Sequence, residues 1–337
     1  MDSRGMRLGR LGLDLIHDNH SFGVPSLVLL TGHLRAFMDA AFQDNVVHSW
    51  RQFGFKNAPV ALHTWDEESS VPTWWTGGAS YPDRKQQAAQ APLDHIVANG
   101  SLRALLLAYE VQQPLRAAIR SPDIFSVAAK CESHRDLETA QRMLQGLNAQ
   151  WYALHRVRWL IERALGLSSR RPEPSAVVLK TRPDAILLWR NSSSSLFLRR
   201  ASAALRDDTR QIWTCKGWHA LGVSDIAFVT SYEAVSALAR AYDLCYVRLL
   251  EAGALRCSLL NKPEVVLKVF LDALGFTIHN GAFNVQWCRS AQALDNSPMG
   301  SCLHAGEHYI TSMDEWWAKD ASAAVELARA CIGAVKR

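Results

Sequence analysis

Four short runs of aliphatic and β-branched residues recur along the chain, and each leads into polar or charged side chains. Runs of this length that are rich in valine, leucine and isoleucine are typical of buried β-strands. The third run leads to Pro183, which cannot donate a backbone hydrogen bond to a neighbouring strand, so the strand is predicted to end there. The four runs lie within residues 26–37, 59–66, 177–184 and 223–234.

Between these runs, apolar residues recur at the helical spacing of three and four. Strand, helix and strand in succession over residues 26–66 predict a βαβ unit, and helices are expected to dominate residues 101–166. Strands that alternate with helices predict an α/β fold. The clearest helical stripe, with Gly166 as its C-cap, consists of Leu147, Trp151, Leu154, Val157, Ile161 and Leu165.

Local sequence signals predict the boundaries of later elements. Thr230, followed three residues later by a glutamate, predicts a capping box that opens a helix. Pro263 suits the first turn of another helix and Gly275 its end. The dipeptide Asn280-Gly281 between two apolar runs predicts the turn of a β-hairpin.

The main internal linker is the Arg-Arg-Pro-Glu-Pro segment at residues 170–174, which leads directly into the third strand. Residues 1–25 are expected to be a peripheral N-terminal segment. The linker then divides the chain into halves, residues 26–170 and 171–337, which we expect to form one continuous domain.

Composition and charge exclude several classes of protein. The formal charge of +5 over 337 residues comes from scattered basic residues, whereas nucleic-acid binding needs a concentrated basic surface, so no nucleic-acid partner is expected. No apolar run approaches the ~20 residues of a transmembrane helix. Dinucleotide-binding, phosphate-loop, serine-hydrolase and zinc-protease motifs do not occur in the sequence.

The seven cysteines are dispersed and lack Cys-x-x-Cys spacing, which argues against a zinc site and a dense disulfide framework. We expect most of them to be small buried hydrophobic residues in a reducing compartment, with a single lumenal disulfide left open. No secretory signal or membrane anchor is visible, which favours a cytoplasmic location. The alternative is the Golgi lumen, if the chain is a truncated form.

The third run carries the most informative chemistry. Arg182 and Asp184 follow a buried strand at its carboxyl end, where open α/β sheets place their ligands. An arginine fork suits phosphate, and a carboxylate suits a hard cation. The alternative is that Arg182 and Asp184 pair with each other and simply close the end of the strand.

Taken in order, these segments resemble a group of nucleotide-sugar-dependent glycosyltransferases with a GT-A-like fold. Members open with a strand and a Gly-x-x-Arg turn, here Gly32 to Arg35, followed by a strand ending in His-Thr-Trp. A central Thr-Arg-Pro-Asp strand and an Asp-containing segment before a helix come next. A Pro-Glu-led helix and a strand ending in arginine complete the set. The chain departs from the group at His33, where glutamine is common, and at Lys180, where arginine is usual.

The resemblance implies a Rossmann-type layered fold with a mostly parallel central sheet, and the transfer of a sugar from a nucleotide-sugar to a glycan or other hydroxyl acceptor. The first half would bind the nucleotide and the second half the donor sugar and acceptor. Asp225 and Glu264 are the implied catalytic residues. The implied donor-binding residues are Gly32, Arg35, His63, Asp66, Arg182 and Arg289.

Metal dependence is left open by the sequence. Asp184 is the candidate ligand for Mn²⁺ or Mg²⁺, but the Asp-x-Asp pair of metal-dependent glycosyltransferases is absent, and Asp225 is its best candidate partner. The alternative is metal-independent transfer in which Arg35 and Arg182 stabilise the leaving diphosphate.

The missing acidic pair and Lys180 also motivate a different function. A catalytically inactive homologue that binds a glycan or scaffolds a partner enzyme is the alternative to the transferase.

Overall fold

The structure is a computed structural model in which a mixed β-sheet is flanked by helices. It describes residues 7–11, 26–32, 37, 40–55, 58, 60–65, 105–110, 151–159, 161–162, 173–188, 194–215, 223–254, 263–288, 302–304 and 312–334. None of the helices within these ranges is long and apolar enough to span a membrane.

Strands and helices are numbered here in chain order. The strands are β1 Arg7–Leu11, β2 Ser26–Thr31, β3 Val60–Trp65, β4 Leu105–Glu110, β5 Val177–Thr181, β6 Ala185–Leu188, β7 Gln211–Cys215, β8 Phe228–Ser231, β9 Thr277–Cys288 and β10 Cys302–His304. The helices are α1 Ala40–Gln52, α2 over residues 151–159, α3 Ser194–Asp207, α4 Tyr232–Glu251, α5 Pro263–Leu274 and α6 Ser312–Ala334.

The strands follow the order β1-β4-β3-β2-β5-β8-β7-β9-β10, and β6 pairs with β9 off this path. Strands β4, β3, β2 and β5 run parallel, and β7 runs parallel to β9. The pairs β1–β4, β5–β8, β7–β8, β6–β9 and β9–β10 are antiparallel. The predicted α/β class is therefore confirmed, and its sheet is mixed.

Alternation along the central strands divides the hydrophobic core into two layers. Leu27 and Leu29 face one layer, whereas Val28 and Leu30 face the other, as the two-residue period of a strand requires. The first layer contains α2, α4, α5 and α6, and we call it the helical layer. The second layer contains α1 and α3.

Several predicted boundaries agree with the structure. Strand β5 ends just before Pro183, and α5 begins at Pro263 and is followed by Gly275 with φ +74°. The predicted βαβ unit is present, with β2 and β3 parallel and α1 between them. The predicted capping box at Thr230 was wrong: the N-cap of α4 is Ser231, whose hydroxyl accepts a hydrogen bond from the Ala234 amide at 2.9 Å, and alanine at that position supplies no carboxylate to complete a box.

Two predictions of element type were wrong. The segment Leu105–Glu110, predicted within a helical region, is strand β4 and pairs with β3. Periodicity cannot separate a strand from a helix over so short an apolar run. The predicted hairpin at Asn280-Gly281 is the single strand β9, in which Gly281 has φ +69° and the register against β7 shifts. Glycine in a strand also permits such a bulge.

A disulfide joins α4 to α6 through Cys245 and Cys331, whose Cα atoms are 5.8 Å apart. Both side chains are buried, as expected, but they are covalently linked and not merely packed. Cys215 is a free thiol, and burial raises its pKa to about 12. The disulfide therefore lies inside the helical layer, away from the free thiol on β7.

Candidate functional site

The carboxyl ends of β2, β3 and β5 meet at one edge of the sheet, which we call the carboxyl edge. The registers place Leu30 opposite Thr181 and Thr31 opposite His63. Because all three strands are parallel, the residues that follow them emerge on the same side. Ligands of open α/β sheets bind at this kind of edge.

Gly32 lies at the centre of the carboxyl edge. Its φ of +129° belongs to a region that residues other than glycine rarely adopt. Its amide donates a hydrogen bond to the His63 carbonyl at 3.2 Å. A Cβ added here would lie 3.8 Å from Cδ of Pro183, which is ordinary contact. The turn after β2 is therefore fastened to β3 and lies close to the turn after β5.

Arg182 and Asp184 form a two-pronged ion pair within this second turn. Nε and Nη2 of Arg182 donate to Oδ1 and Oδ2 of Asp184, both at 2.8 Å. The Asp184 side chain is completely buried, whereas that of Arg182 is 22% exposed. Burial lowers the pKa of Arg182, but the charge and hydrogen bonds of Asp184 outweigh it and raise the pKa overall. The pair holds a fully charged guanidinium at the carboxyl edge.

Lys180 is the second cation of the carboxyl edge, and it contacts the backbone of Asp225. The Lys180 ammonium donates to the backbone carbonyl of Asp225 and lies 5.7 Å from the ring centre of Phe228. Burial lowers the pKa of Lys180 to about 8, while the charge of Asp225 acts in the opposite direction. Lys180 is thus a buried cation whose charge depends strongly on its surroundings.

Thr31, His63 and Lys180 share one face of the sheet. In each of the three strands, the residue two positions earlier faces the helical layer, so these polar side chains lie on that face too. The three earlier residues are Leu29, Ala61 and Val178. The His63 ring packs edge-on against Tyr152 of α2, with ring centres 5.9 Å apart. We call the six residues of this region the polar cluster: Thr31, His63, Lys180, Arg182, Asp184 and Asp225.

The structure therefore brings together five of the nine residues that the sequence selected. Gly32, His63, Arg182 and Asp184 lie at the carboxyl edge, and the charge of Asp225 acts on both Lys180 and Arg182. Glu264 lies in the first turn of α5, and it is not among the charges that act on those two cations. The other three residues lie outside the described part of the chain: Arg35, Asp66 and Arg289.

Two members of the polar cluster were missed by the selection of site residues from the sequence. Lys180 was noted only as a departure from the family pattern, although a lysine inside a strand predicted to be buried is itself a signal. Thr31 gives no signal in the sequence, because threonine is common in strands. Its importance comes from its burial, with 2% exposure, and from a hydroxyl that has no hydrogen-bond partner among the described residues.

The described part of the carboxyl edge places a cation, and no cluster of metal-binding side chains, beside Asp184. Both carboxylate oxygens of Asp184 accept hydrogen bonds from Arg182, so a cation bound to Asp184 would lie beside the guanidinium charge. Within the described ranges, no group of three or more metal-binding side chains converges. The donors of this edge are instead cationic, and they suit an anion.

The chemistry available at the carboxyl edge is the binding of negatively charged oxygen. It combines an oriented guanidinium, a buried ammonium and a hydroxyl that has no partner among the described residues with the carboxylate of Asp225. Comparison with known proteins adds no family: no family model matches this chain, and no curated protein matches it in sequence.

Proposed function

We propose that this protein is a glycosyltransferase that moves a sugar from a nucleotide-sugar donor to a hydroxyl of a glycan or other acceptor. The observation that carries the proposal is the convergence of the Gly32 turn and the Arg182–Asp184 turn at one sheet edge. These turns belong to two of the six segments on which the sequence resemblance rests. The layered α/β architecture is compatible with a GT-A-like fold.

The guanidinium of Arg182 would contact the diphosphate of the donor. Transfer of the sugar leaves negative charge on that diphosphate, and an oriented cation in a partly buried site stabilises this charge strongly. Asp184 fixes the direction of the guanidinium through two hydrogen bonds. In this proposal Asp184 orients the arginine and does not itself bind a metal, so the transfer corresponds to the metal-independent alternative.

Asp225 is the proposed general base. Its side chain is buried, and its charge acts on both Lys180 and Arg182. An ionised carboxylate can accept the proton of the acceptor hydroxyl as the new glycosidic bond forms. Glu264 stays the alternative base, on the acceptor side of the site.

A second candidate is the inactive homologue that binds a glycan or scaffolds a partner. The mutual pairing of Arg182 and Asp184 favours it, because two groups that satisfy each other also serve as a structural closure of the strand end. The two candidates differ in a measurable way, since only the transferase consumes its donor.

The test is thermal unfolding of the protein with UDP, GDP, CMP and their sugars, with and without Mn²⁺. A ligand that binds only the folded state raises the unfolding temperature. The transferase predicts a selective rise with one nucleotide that is lost in Arg182→Ala and Asp184→Ala. Asp272→Ala is the matched control, because it breaks an ion pair with Lys268 within α5.

The assay is completed by measuring release of the sugar from the stabilising donor by NMR. Release that requires Asp225 supports the transferase, and binding without release in the presence of acceptor glycans supports the inactive homologue. A well-folded protein that responds to none of these nucleotides would overturn the proposal.

A further inference from the structure

Lys180 is a buried cation with a single hydrogen-bond acceptor among the described residues. An ammonium group carries three N–H donors. At 3% exposure, Lys180 donates within the described part of the chain to one acceptor, the carbonyl of Asp225, and it lies near the ring of Phe228. Removing a cation from water costs several kcal/mol unless acceptors or an opposite charge replace the lost hydration. Lys180 therefore lies where a further acceptor would be stabilising.

Thr31 presents a second unsatisfied group on the same face. Its hydroxyl is buried and has no hydrogen-bond partner among the described residues. The register places Leu29 opposite Lys180, and Thr31 follows Leu29 by two residues, so the two polar side chains are diagonal neighbours on adjacent strands. Both lie within the last two residues of their strands, at the carboxyl edge.

The formal charges around Lys180 balance one another. Arg182 and Asp184 neutralise each other through their ion pair. The acidic groups whose charges act on Lys180 are those of Asp225, Cys215 and Asp184, and the Cys215 thiol is neutral at physiological pH because burial raises its pKa to about 12. Outside the Arg182–Asp184 pair, Asp225 is thus the carboxylate that balances Lys180, so the inference rests on the open hydrogen-bond positions of Lys180 and Thr31 and not on an excess of positive charge.

We infer that the Lys180 ammonium and the Thr31 hydroxyl form a subsite for a phosphate oxygen on the helical-layer side of the carboxyl edge. The assignment of this phosphate to a nucleoside diphosphate rests on the proposed function. Free pyrophosphate carries the same phosphate oxygens and would accept hydrogen bonds from the same two side chains. Arg182 would then contact the same diphosphate from the turn beyond β5, so that the two cations bind different oxygens.

The test is calorimetric titration of the protein with inorganic pyrophosphate and, separately, with UDP and GDP. Lys180→Met keeps the length of the side chain and removes the charge, and it should weaken pyrophosphate binding about 30-fold, as expected for a charged hydrogen bond. Lys268→Met is the matched control, because that lysine pairs with Asp272 in α5, and it should leave the affinity unchanged.

Thr31 supplies a second, milder pair of variants. Thr31→Val has the shape of threonine without the hydroxyl and should weaken binding about 5-fold, whereas Thr31→Ser should retain it. We expect both variants to fold even if Lys180→Met does not, because valine and serine are close to threonine in size. The difference in affinity between Thr31→Val and Thr31→Ser is therefore enough by itself to test the subsite. Circular dichroism confirms folding of each variant.

The outcomes separate this inference from the proposed function. Pyrophosphate binding that depends on Lys180 and Thr31, without tighter binding of either nucleotide, supports the subsite and counts against the transferase. Nucleotide binding that is unaffected by both substitutions overturns the subsite and leaves the transferase in place. Failure of the wild-type protein to bind pyrophosphate or nucleotide overturns both.

Discussion

The carboxyl edge and the helical layer lie on the same strands and are built on opposite physical principles. The helical layer buries aromatic and aliphatic side chains and contains a disulfide. The carboxyl edge contains a buried cation, a partly buried cation, two buried carboxylates and a buried hydroxyl that has no partner among the described residues. Burying charge lowers stability, so the first region is expected to stabilise the fold more than the second, to which we assign the proposed binding site.

Contacts between aromatic rings stabilise the helical layer. Trp151 of α2 stacks on Tyr242 of α4 with ring centres 5.0 Å apart, and Tyr242 stacks on Tyr246 at 4.6 Å. Phe270 of α5 meets the rings of Trp151 and Tyr242 edge-on at 6.3 Å. Such ring pairs add to the free energy gained by burying their surface. Three helices from distant parts of the sequence are joined by these four rings.

The largest predicted effect is reduction of the disulfide. A cross-link between residues separated by 86 positions restricts the unfolded chain, and its loss should lower the free energy of unfolding by roughly 4 to 5 kcal/mol in the chain-entropy description. Urea unfolding with and without dithiothreitol, and of Cys245→Ser/Cys331→Ser, measures this loss. Pyrophosphate affinity of the folded protein should not change, and a parallel loss of affinity would contradict the separation of the two regions.

The second effect concerns pH and Lys180. Its pKa is about 8 in the folded protein and 10.5 when exposed, so between these values the unfolded state binds more protons and stability rises with pH. The gain is on the order of 3 kcal/mol between pH 8 and 10.5 and is absent below pH 8. Lys180→Met should lack it and should be more stable than wild type at pH 7.

Other groups titrate in the same range, so the comparison with Lys180→Met is essential. Burial raises the pKa of Cys215 and of Tyr232, and their contribution to stability falls as the pH rises, in both proteins alike. Urea unfolding from pH 7 to 10.5 gives the difference directly. A difference that does not change with pH would mean that Lys180 is not the buried cation described here.

The third effect is removal of Asp184. Arg182 would lose both hydrogen bonds and its fixed direction, and breaking a buried pair costs about 3 to 5 kcal/mol, which we reduce to about 2 to 3 kcal/mol because Arg182 is 22% exposed. Asp272→Ala, which breaks the solvent-accessible pair on α5, should cost about 0.5 kcal/mol or less. Equal losses in the two variants would contradict the special status of the carboxyl edge.

The smallest effect distinguishes two glycines. Gly32→Ala should cost about 2 kcal/mol, because its φ of +129° is strained for any side chain, although its neighbours leave room for a methyl group. Gly253→Ala, at φ +63° with nothing within 4 Å, should cost about 1 kcal/mol. Thermal unfolding of both variants measures the difference, and equal costs would mean that the Gly32 turn is not constrained by the edge.

Local signals explain which parts of the fold were predictable. Strands β2, β3 and β5 have β-branched runs, and α5 has a proline at its start and a glycine after its end. Each of these signals involves only a few consecutive residues, so the sequence alone predicts where these strands and this helix lie. The apolar run of β4 fits two element types, and its identity depends on pairing with β3, which a local pattern does not contain.

The candidate site was predictable to a similar extent. Parallel strands place their ends together, so the meeting of Gly32, His63 and Arg182 follows from the predicted α/β fold. The contact of Lys180 with Asp225 joins residues 45 positions apart through the pairing of β5 with β8. The buried strand around Lys180 signals that this lysine is buried, but the local sequence does not give its partner, and the same holds for the pairing of Cys245 with Cys331 across two helices.

The most direct test of the central claim is a crystal structure of the protein grown with the nucleoside diphosphate that stabilises it most. The account predicts that the diphosphate lies at the carboxyl edge beside Gly32, with its oxygens within hydrogen-bond distance of the Arg182 guanidinium and the Lys180 ammonium. A nucleotide bound elsewhere, with the Arg182–Asp184 pair and Lys180 untouched, would contradict it.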